Sequence, residues 1–210
     1  MHGGLGEVGY NADGMKKQKN LAFIDAQNLY FGTTKCARCA QRLSKDLRDM
    51  RFADCTCGVA WKIDLEKLRV YLTDKYHVTE AYYFLGYVHN ENTDLYQTIQ
   101  RSGFIVVFKE HHAHAKSSKK GNIDTDLVLE VMKNVADRSP EFDKILLISG
   151  DGDYKKLVDY LINKGRFVKI LFPNKEFSSS LFKSLGSEFF DYLPNIKSYI
   201  EKIEVKEKGS

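Results

Sequence analysis

The chain switches repeatedly between short, near-continuous apolar runs and longer segments with helical periodicity, and this alternation restricts the fold more than any other feature. "LAFID" (21–25), "VTEAYYFLGYV" (78–88), "FIVVF" (104–108), "DKILLIS" (143–149) and "RFVKILF" (166–172) are rich in aliphatic and aromatic residues. A strand with one solvated face alternates polar and apolar residues; a strand covered on both faces reads as an unbroken apolar run. Between the runs lie "KIDLEKLRVYLTDKY", "NTDLYQTIQRSG", "IDTDLVLEVMKNVAD" and "DYKKLVDYLINKG", which are apolar at helical spacing. Several open on a capping residue or close on glycine. Such alternation predicts an α/β fold: a doubly wound, mostly parallel five-stranded sheet with right-handed crossovers and helices on both faces. After the fifth run, "SSSLFKSLGSEFF" and "NIKSYIEKIEV" predict a short and a longer terminal helix.

At 210 residues the chain suits one domain, and its 43% hydrophobic and 12% aromatic content is that of a globular protein. No apolar run approaches the roughly 20 residues of a membrane helix, so no membrane partner is expected. The glycine-rich opening has no apolar centre like that of a secretory signal. Residues 1–19 read either as a disordered tail or as an expression leader with Met15 as the natural start. The expected organisation is a main domain over 20–194, a cysteine-rich insertion at 33–60 within it, and a C-terminal helix and tail over 195–210. A cytoplasmic protein is the default. The net charge of +4 permits a nucleic-acid partner without demanding one.

The acids fall at strand ends. Asp25 ends the first run, while Ser149, Asp151 and Asp153 follow the fourth in "ISGDGDY". Open α/β sheets bind ligands beyond the carboxyl ends of their strands, where strand order reverses. If the order is 3-2-1-4-5, the first and fourth strands are neighbours at that point. Asp124 and Asp126 open a helix that starts on the same edge. Each has a plainer reading: Asp124 and Asp153 as helix caps, Asp126 as a first-turn acid favoured by the helix dipole. Asp25 resists that reading, because no helix start is evident within three residues of it. Clustered carboxylates repel unless a cation neutralises them, and hard ions such as Mg²⁺ and Mn²⁺ prefer carboxylate oxygens. "AQNLYFG" after the first strand carries neither G-x-G-x-x-G nor G-K-[ST], which argues against a dinucleotide-binding enzyme.

"FIDAQNLY", "KGNIDTDLVLEVM" and "ILLISGDGDYKKLVDYLINKGRFVKIL" resemble, in this order, the three blocks of the NYN domain family, a branch of the PIN-like nucleases. The resemblance runs from about Leu21 to about Leu193, interrupted by the cysteine segment. It implies a PIN-like fold with sheet order 3-2-1-4-5 and a metal-dependent ribonuclease that hydrolyses RNA phosphodiesters with one or two Mg²⁺ or Mn²⁺ ions. It also implies that Asp25, Asp124, Asp151 and Asp153 are the catalytic metal-binding acids, supported by Asn28 and Ser149. Asp126, offset into the helix from the best match, is secondary. Some relatives of this fold bind RNA without cutting it, so a non-catalytic RNA-binding or scaffold module is the alternative. A phosphatase acting on small substrates is a weaker third reading, since the first strand lacks an Asp-x-Asp pair.

All four cysteines lie in the insertion, as "CARC" (Cys36, Cys39) and "CTC" (Cys55, Cys57), with fifteen residues between the pairs. Two close pairs of thiols suit one tetrahedral, structural Zn²⁺, although the one-residue gap of "CTC" departs from the usual spacing. The plainer reading is four ordinary thiols in a loop. "QRLSKDLRDMR" between them predicts a basic helix over the cleft, and the insertion offers a surface for a protein partner or a second copy. "KEHHAHAKSSKKG" precedes the acidic helix. Lys116, Lys119 and Lys120 are its candidate RNA-phosphate contacts, while His111, His112 and His114 read as solvated loop residues. Tyr30 is a candidate for stacking on a base.

Overall fold

The computed structural model describes residues 18–86, 93–108 and 123–203. Six parallel strands form one sheet in the order β3-β2-β1-β4-β5-β6. They are β1 (Asn20–Asp25), β2 (Val78–Leu85), β3 (Ile105–Phe108), β4 (Lys144–Ile148), β5 (Phe167–Phe172) and β6 (Phe190–Tyr192). The helices are α1 (Ala26–Thr34), α2 (Ala37–Arg42), α3 (Leu65–Tyr76), α4 (Thr93–Arg101), α5 (Ile123–Asp137), α6 (Lys155–Asn163) and α7 (Lys197–Ile200). Strand order runs outward both ways from the β1–β4 pair, so the reversal lies between those two strands.

Alternate residues of the central strands feed two cores. Ala22 and Ile24 of β1, with Leu146 and Ile148 of β4, pack beneath Leu29 of α1 and Leu68 and Leu72 of α3. Leu21, Phe23, Ile145 and Leu147 face the other way, against Leu127 and Val131 of α5 and Leu157 and Val158 of α6. Every residue of β1 is buried, which is why "LAFID" shows no polar alternation. Each leucine fully buried there contributes roughly 1.5–3 kcal/mol of transfer free energy. At the sheet edge β3 is covered less completely, and Ile105 is exposed.

Four expectations need correcting. "SSSLFKSLGSEFF" forms no α-helix: two 3₁₀ segments, Ser180–Ser184 and Ser187–Phe189, lead into β6, a sixth strand. Phe190 and Tyr192, two residues apart, both pack on Phe172 of β5, and that tertiary contact fixes the extended conformation. The terminal helix is a single turn, α7, after a 3₁₀ segment with Pro194 in its first turn. It ends where Glu201 bridges antiparallel to Ile63. The basic stretch between the cysteine pairs is likewise no continuous helix: α2 stops at Arg42, and 3₁₀ turns follow at Leu47–Asp49 and Phe52–Asp54.

The fourth correction bears on the site. "AQNLYFGTT" is a helix, α1, that begins directly after β1 with Asp25 as its N-cap. Gly32 lies in this helix because α1 passes close to Pro173 at the end of β5. A Cβ on Gly32 would sit 2.5 Å from Pro173 Cβ. Asn174 Nδ2 donates to Gly32 O (3.0 Å) and ties the two segments together.

Candidate metal centre

β1 and β4 run in register, with Ile24 opposite Ile148, so Asp25 and Ser149 leave the sheet side by side. The Asn28 backbone N–H donates to Asp25 Oδ1 (2.9 Å), which caps α1. Ser149 Oγ donates to Asp25 Oδ2 (3.3 Å) and accepts from the Asp151 N–H (3.1 Å). Asn28 Oδ1 accepts from the Gly150 N–H (2.6 Å), so the start of α1 grips the turn that carries the next acids. The turn is tight. A Cβ on Gly152 would lie 2.9 Å from Leu181 Cδ1 and would also overlap Ser179.

Asp151 caps the short 3₁₀ turn Gly152–Tyr154 by accepting from the Asp153 N–H (3.0 Å). The capping role expected of Asp153 therefore belongs to Asp151, and the following helix α6 has no side-chain cap. Asp124 is a first-turn residue of α5 rather than its cap. One carboxylate oxygen from each of Asp124, Asp151 and Asp153 lies within 4.8 Å of the others, a spacing that suits one metal ion. Asp126 shares the first turn of α5 but is not a member of this group.

Asp25 lies beneath the group and joins it through Tyr154. The Tyr154 hydroxyl lies 2.7 Å from Asp124 Oδ1, to which it donates, and 3.5 Å from Asp25 Oδ2. Tyr154 is fully buried, and nothing in the sequence marks it as a site residue. A tyrosine ahead of "KKLVDYL" reads as one more aromatic on a helix, and only the fold brings its hydroxyl to acids from two other segments.

Electrostatics follow from burial. Asp25 is 5% exposed, and desolvation, reinforced by the charges of Asp124 and Asp151, raises its pKa from 3.8 to about 6 against the cap hydrogen bond. Burial, with the adjacent Asp25 carboxylate, also pushes the Tyr154 hydroxyl above the ordinary tyrosine range, so it remains a donor. Among the described residues, no lysine or arginine pairs with Asp25, Asp124, Asp151 or Asp153. An all-carboxylate set fits a hard divalent ion.

Tyr30 of α1 is 57% exposed and lines a cavity of about 450 Å³ with Leu29, Phe52, Ile63, Tyr83 and Leu95. Its neighbour Phe31 packs edge-on against Phe177. Lys116, Lys119, Lys120 and the three histidines beside them lie outside the described residues.

The four cysteines form a second group, with all sulfurs within 4.8 Å of one another and none in a disulfide. They lie at the far end of α1 from Asp25, in an insertion closed by the Trp61 N–H donating to Thr33 O (2.8 Å).

A doubly wound parallel sheet whose reversal point gathers acids from β1, β4 and α5 defines a PIN-like, nuclease-like α/β domain. The NYN domain model matches residues 21–193, and the chain belongs to that family. Its members are RNA-associated. The chain is 26% identical over 101 residues to the "Low amplitude and bright protein LabA" of Synechococcus elongatus. That match covers 47% of this chain and 51% of LabA, so it spans about half the relative's length. The crystal structure of a Vibrio parahaemolyticus protein of unknown function superposes with a TM-score of 0.61 at 18% identity. The superposition covers 88% of this chain and 96% of that one, and shows the shared fold. No helix among the described residues is long and apolar enough to cross a membrane.

Proposed function

We propose that the chain is a metal-dependent ribonuclease that holds Mg²⁺ or Mn²⁺ at Asp124, Asp151 and Asp153, with Asp25 as the buried acid beneath. The observation that carries this reading is the convergence of three carboxylates from two segments to within 4.8 Å at the sheet's reversal point. A divalent cation bound there would supply a Lewis acid to activate water and offset negative charge on the phosphate.

The chain's own residues set that geometry. Ser149 and the Asn28 N–H fix the Asp25 carboxylate, and Asn28 Oδ1 holds the Gly150 turn. Tyr154 orients Asp124. Tyr30 offers an exposed ring to an unpaired base, and Lys116, Lys119 and Lys120, just ahead of α5, supply charge for RNA phosphates. Hydrolysis adds a water oxygen to phosphorus and breaks one P–O ester bond. A reducing cytoplasmic setting accords with four cysteines that form no disulfide.

The substrate class is tested by incubating the protein with a single-stranded RNA oligonucleotide and, separately, with a nucleoside monophosphate. Each is run with Mg²⁺, with Mn²⁺ and with neither. Oligonucleotide cleavage that requires the metal is expected. Binding without cleavage would mark an RNA-binding module instead, and faster hydrolysis of the monophosphate would mark a phosphatase.

A further inference from the structure

We propose that Cys36, Cys39, Cys55 and Cys57 bind a single Zn²⁺ ion, and that this ion holds residues 36–60 folded against the far end of α1. The family resemblance does not include this insertion, and the site is independent of the carboxylates.

Sulfur geometry is the first support. Cys36 Sγ lies 3.4 Å from Cys57 Sγ, and Cys55 Sγ lies 3.6 Å from Cys57 Sγ. A disulfide requires about 2.05 Å. Four sulfurs each about 2.3 Å from a tetrahedral zinc stand about 3.8 Å apart, close to the spacing seen here. The one-residue gap of "CTC" is thus no obstacle, because both sulfurs reach the same point.

The surroundings suit thiolates. The Cys39 N–H points at Cys36 Sγ (3.4 Å) and the Ala60 N–H at Cys55 Sγ (3.5 Å). Such donors orient sulfur ligands and stabilise their charge. Arg42 Nη2 is 3.9 Å from Cys39 Sγ and offsets part of the double negative charge of a zinc bound by four thiolates. Binding releases the four thiol protons to solvent and leaves no position for water, so the ion is structural rather than catalytic.

The insertion has little else to fold it. Its core is Cys36, Cys39, Ala40, Met50 and Ala60, with Leu47, Phe52 and Cys55 packed alongside. Lys35 donates to Arg48 O (3.0 Å) and to Met50 O, drawing the loop back to the end of α1. So few apolar residues cannot offset the chain entropy of a segment this long without a cross-link. Beyond it, Trp61 enters the main core and Ile63 bridges to Glu201. Phe52, with Lys62 Nζ 4.7 Å from its ring centroid, forms one wall of the cavity beside Tyr30. Zinc therefore fixes that wall.

The test is elemental analysis of protein purified without added metal, beside a Cys36→Ser/Cys57→Ser double variant and an Asp124→Asn/Asp151→Asn double variant. One zinc per chain is expected in the wild type and in the aspartate variant, with zinc at background in the cysteine variant. Iron in place of zinc, no stoichiometric metal, or zinc lost only from the aspartate variant would overturn the proposal. Because the cysteine variant risks misfolding, Co²⁺ replacement in the wild type is a second readout, expected to give the visible spectrum of a tetrahedral thiolate site. Hydrogen exchange on zinc-stripped protein should show protection lost over residues 36–60 and kept in β1 and β4. Unchanged protection over 36–60 would contradict the structural role. A catalytically inactive protein that still carries the zinc would leave this proposal standing and sink only the nuclease reading.

Discussion

The Tyr154 hydroxyl donates to Asp124 Oδ1 across 2.7 Å, linking the turn after β4 to the first turn of α5. This bond joins the two segments that bring the three acids together. Its partner acid reaches the surface while the tyrosine ring is fully buried.

Tyr154→Phe keeps the ring and deletes only the hydroxyl. Fold stability should fall by about 1 kcal/mol, the net worth of one hydrogen bond. Mn²⁺ affinity, read by calorimetric titration, should fall about 10- to 100-fold, the usual cost of losing a group that orients a ligand. Unchanged affinity would show that Asp124 needs no such support.

Asp25 makes stability depend on pH in the absence of Mg²⁺ and Mn²⁺. Its folded pKa of about 6 lies above the ordinary 3.8, so the folded state holds a proton that the unfolded state has released. The contribution is fully present below about pH 4 and is lost as pH rises through about 6, a penalty of roughly 3 kcal/mol at neutrality. Thermal melts should therefore show wild type and Asp25→Asn alike at pH 4, with the variant more stable at pH 7. Added Mg²⁺ should narrow that gap by raising the wild type. A wild type as stable as the variant at pH 7 without metal would contradict the burial argument.

Alanine is the better helix former by about 1 kcal/mol, yet Gly32→Ala should destabilise the protein. The new methyl meets the Pro173 ring at 2.5 Å, and the Asn174–Gly32 hydrogen bond ties the two segments together. Overpacking of this kind costs about 1–3 kcal/mol, and denaturant melts would measure the net loss. A stabilised variant would mean that α1 can shift away from β5.

The central strands were legible because burial on both faces writes itself as unbroken apolar sequence, as in "LAFID" and "KILLI". The sheet order that the NYN resemblance implies then put Asp25 and the "SGDGDY" acids on one edge, as the β1–β4 register shows. Other features depend on contacts too distant in sequence to read. β6 is three residues long and is extended because Phe190 and Tyr192 meet Phe172. α1 was hidden because Asp25 serves at once as the last residue of a strand and the cap of a helix. Tyr154 was missed because its hydroxyl acts on Asp124, thirty residues earlier. The exchange of roles between Asp151 and Asp153 has a local cause: the Gly152–Tyr154 turn intervenes before α6, so the cap moves back to the first acid.

RNA cleavage by Asp151→Asn and Asp124→Asn, measured beside the wild type in Mn²⁺ under single-turnover conditions, tests the account most directly. Losing a carboxylate that holds the ion should slow cleavage on the order of 100- to 1000-fold while the fold, read by circular dichroism, is kept. Variants that are folded and cut RNA as fast as the wild type would contradict the assignment of this centre.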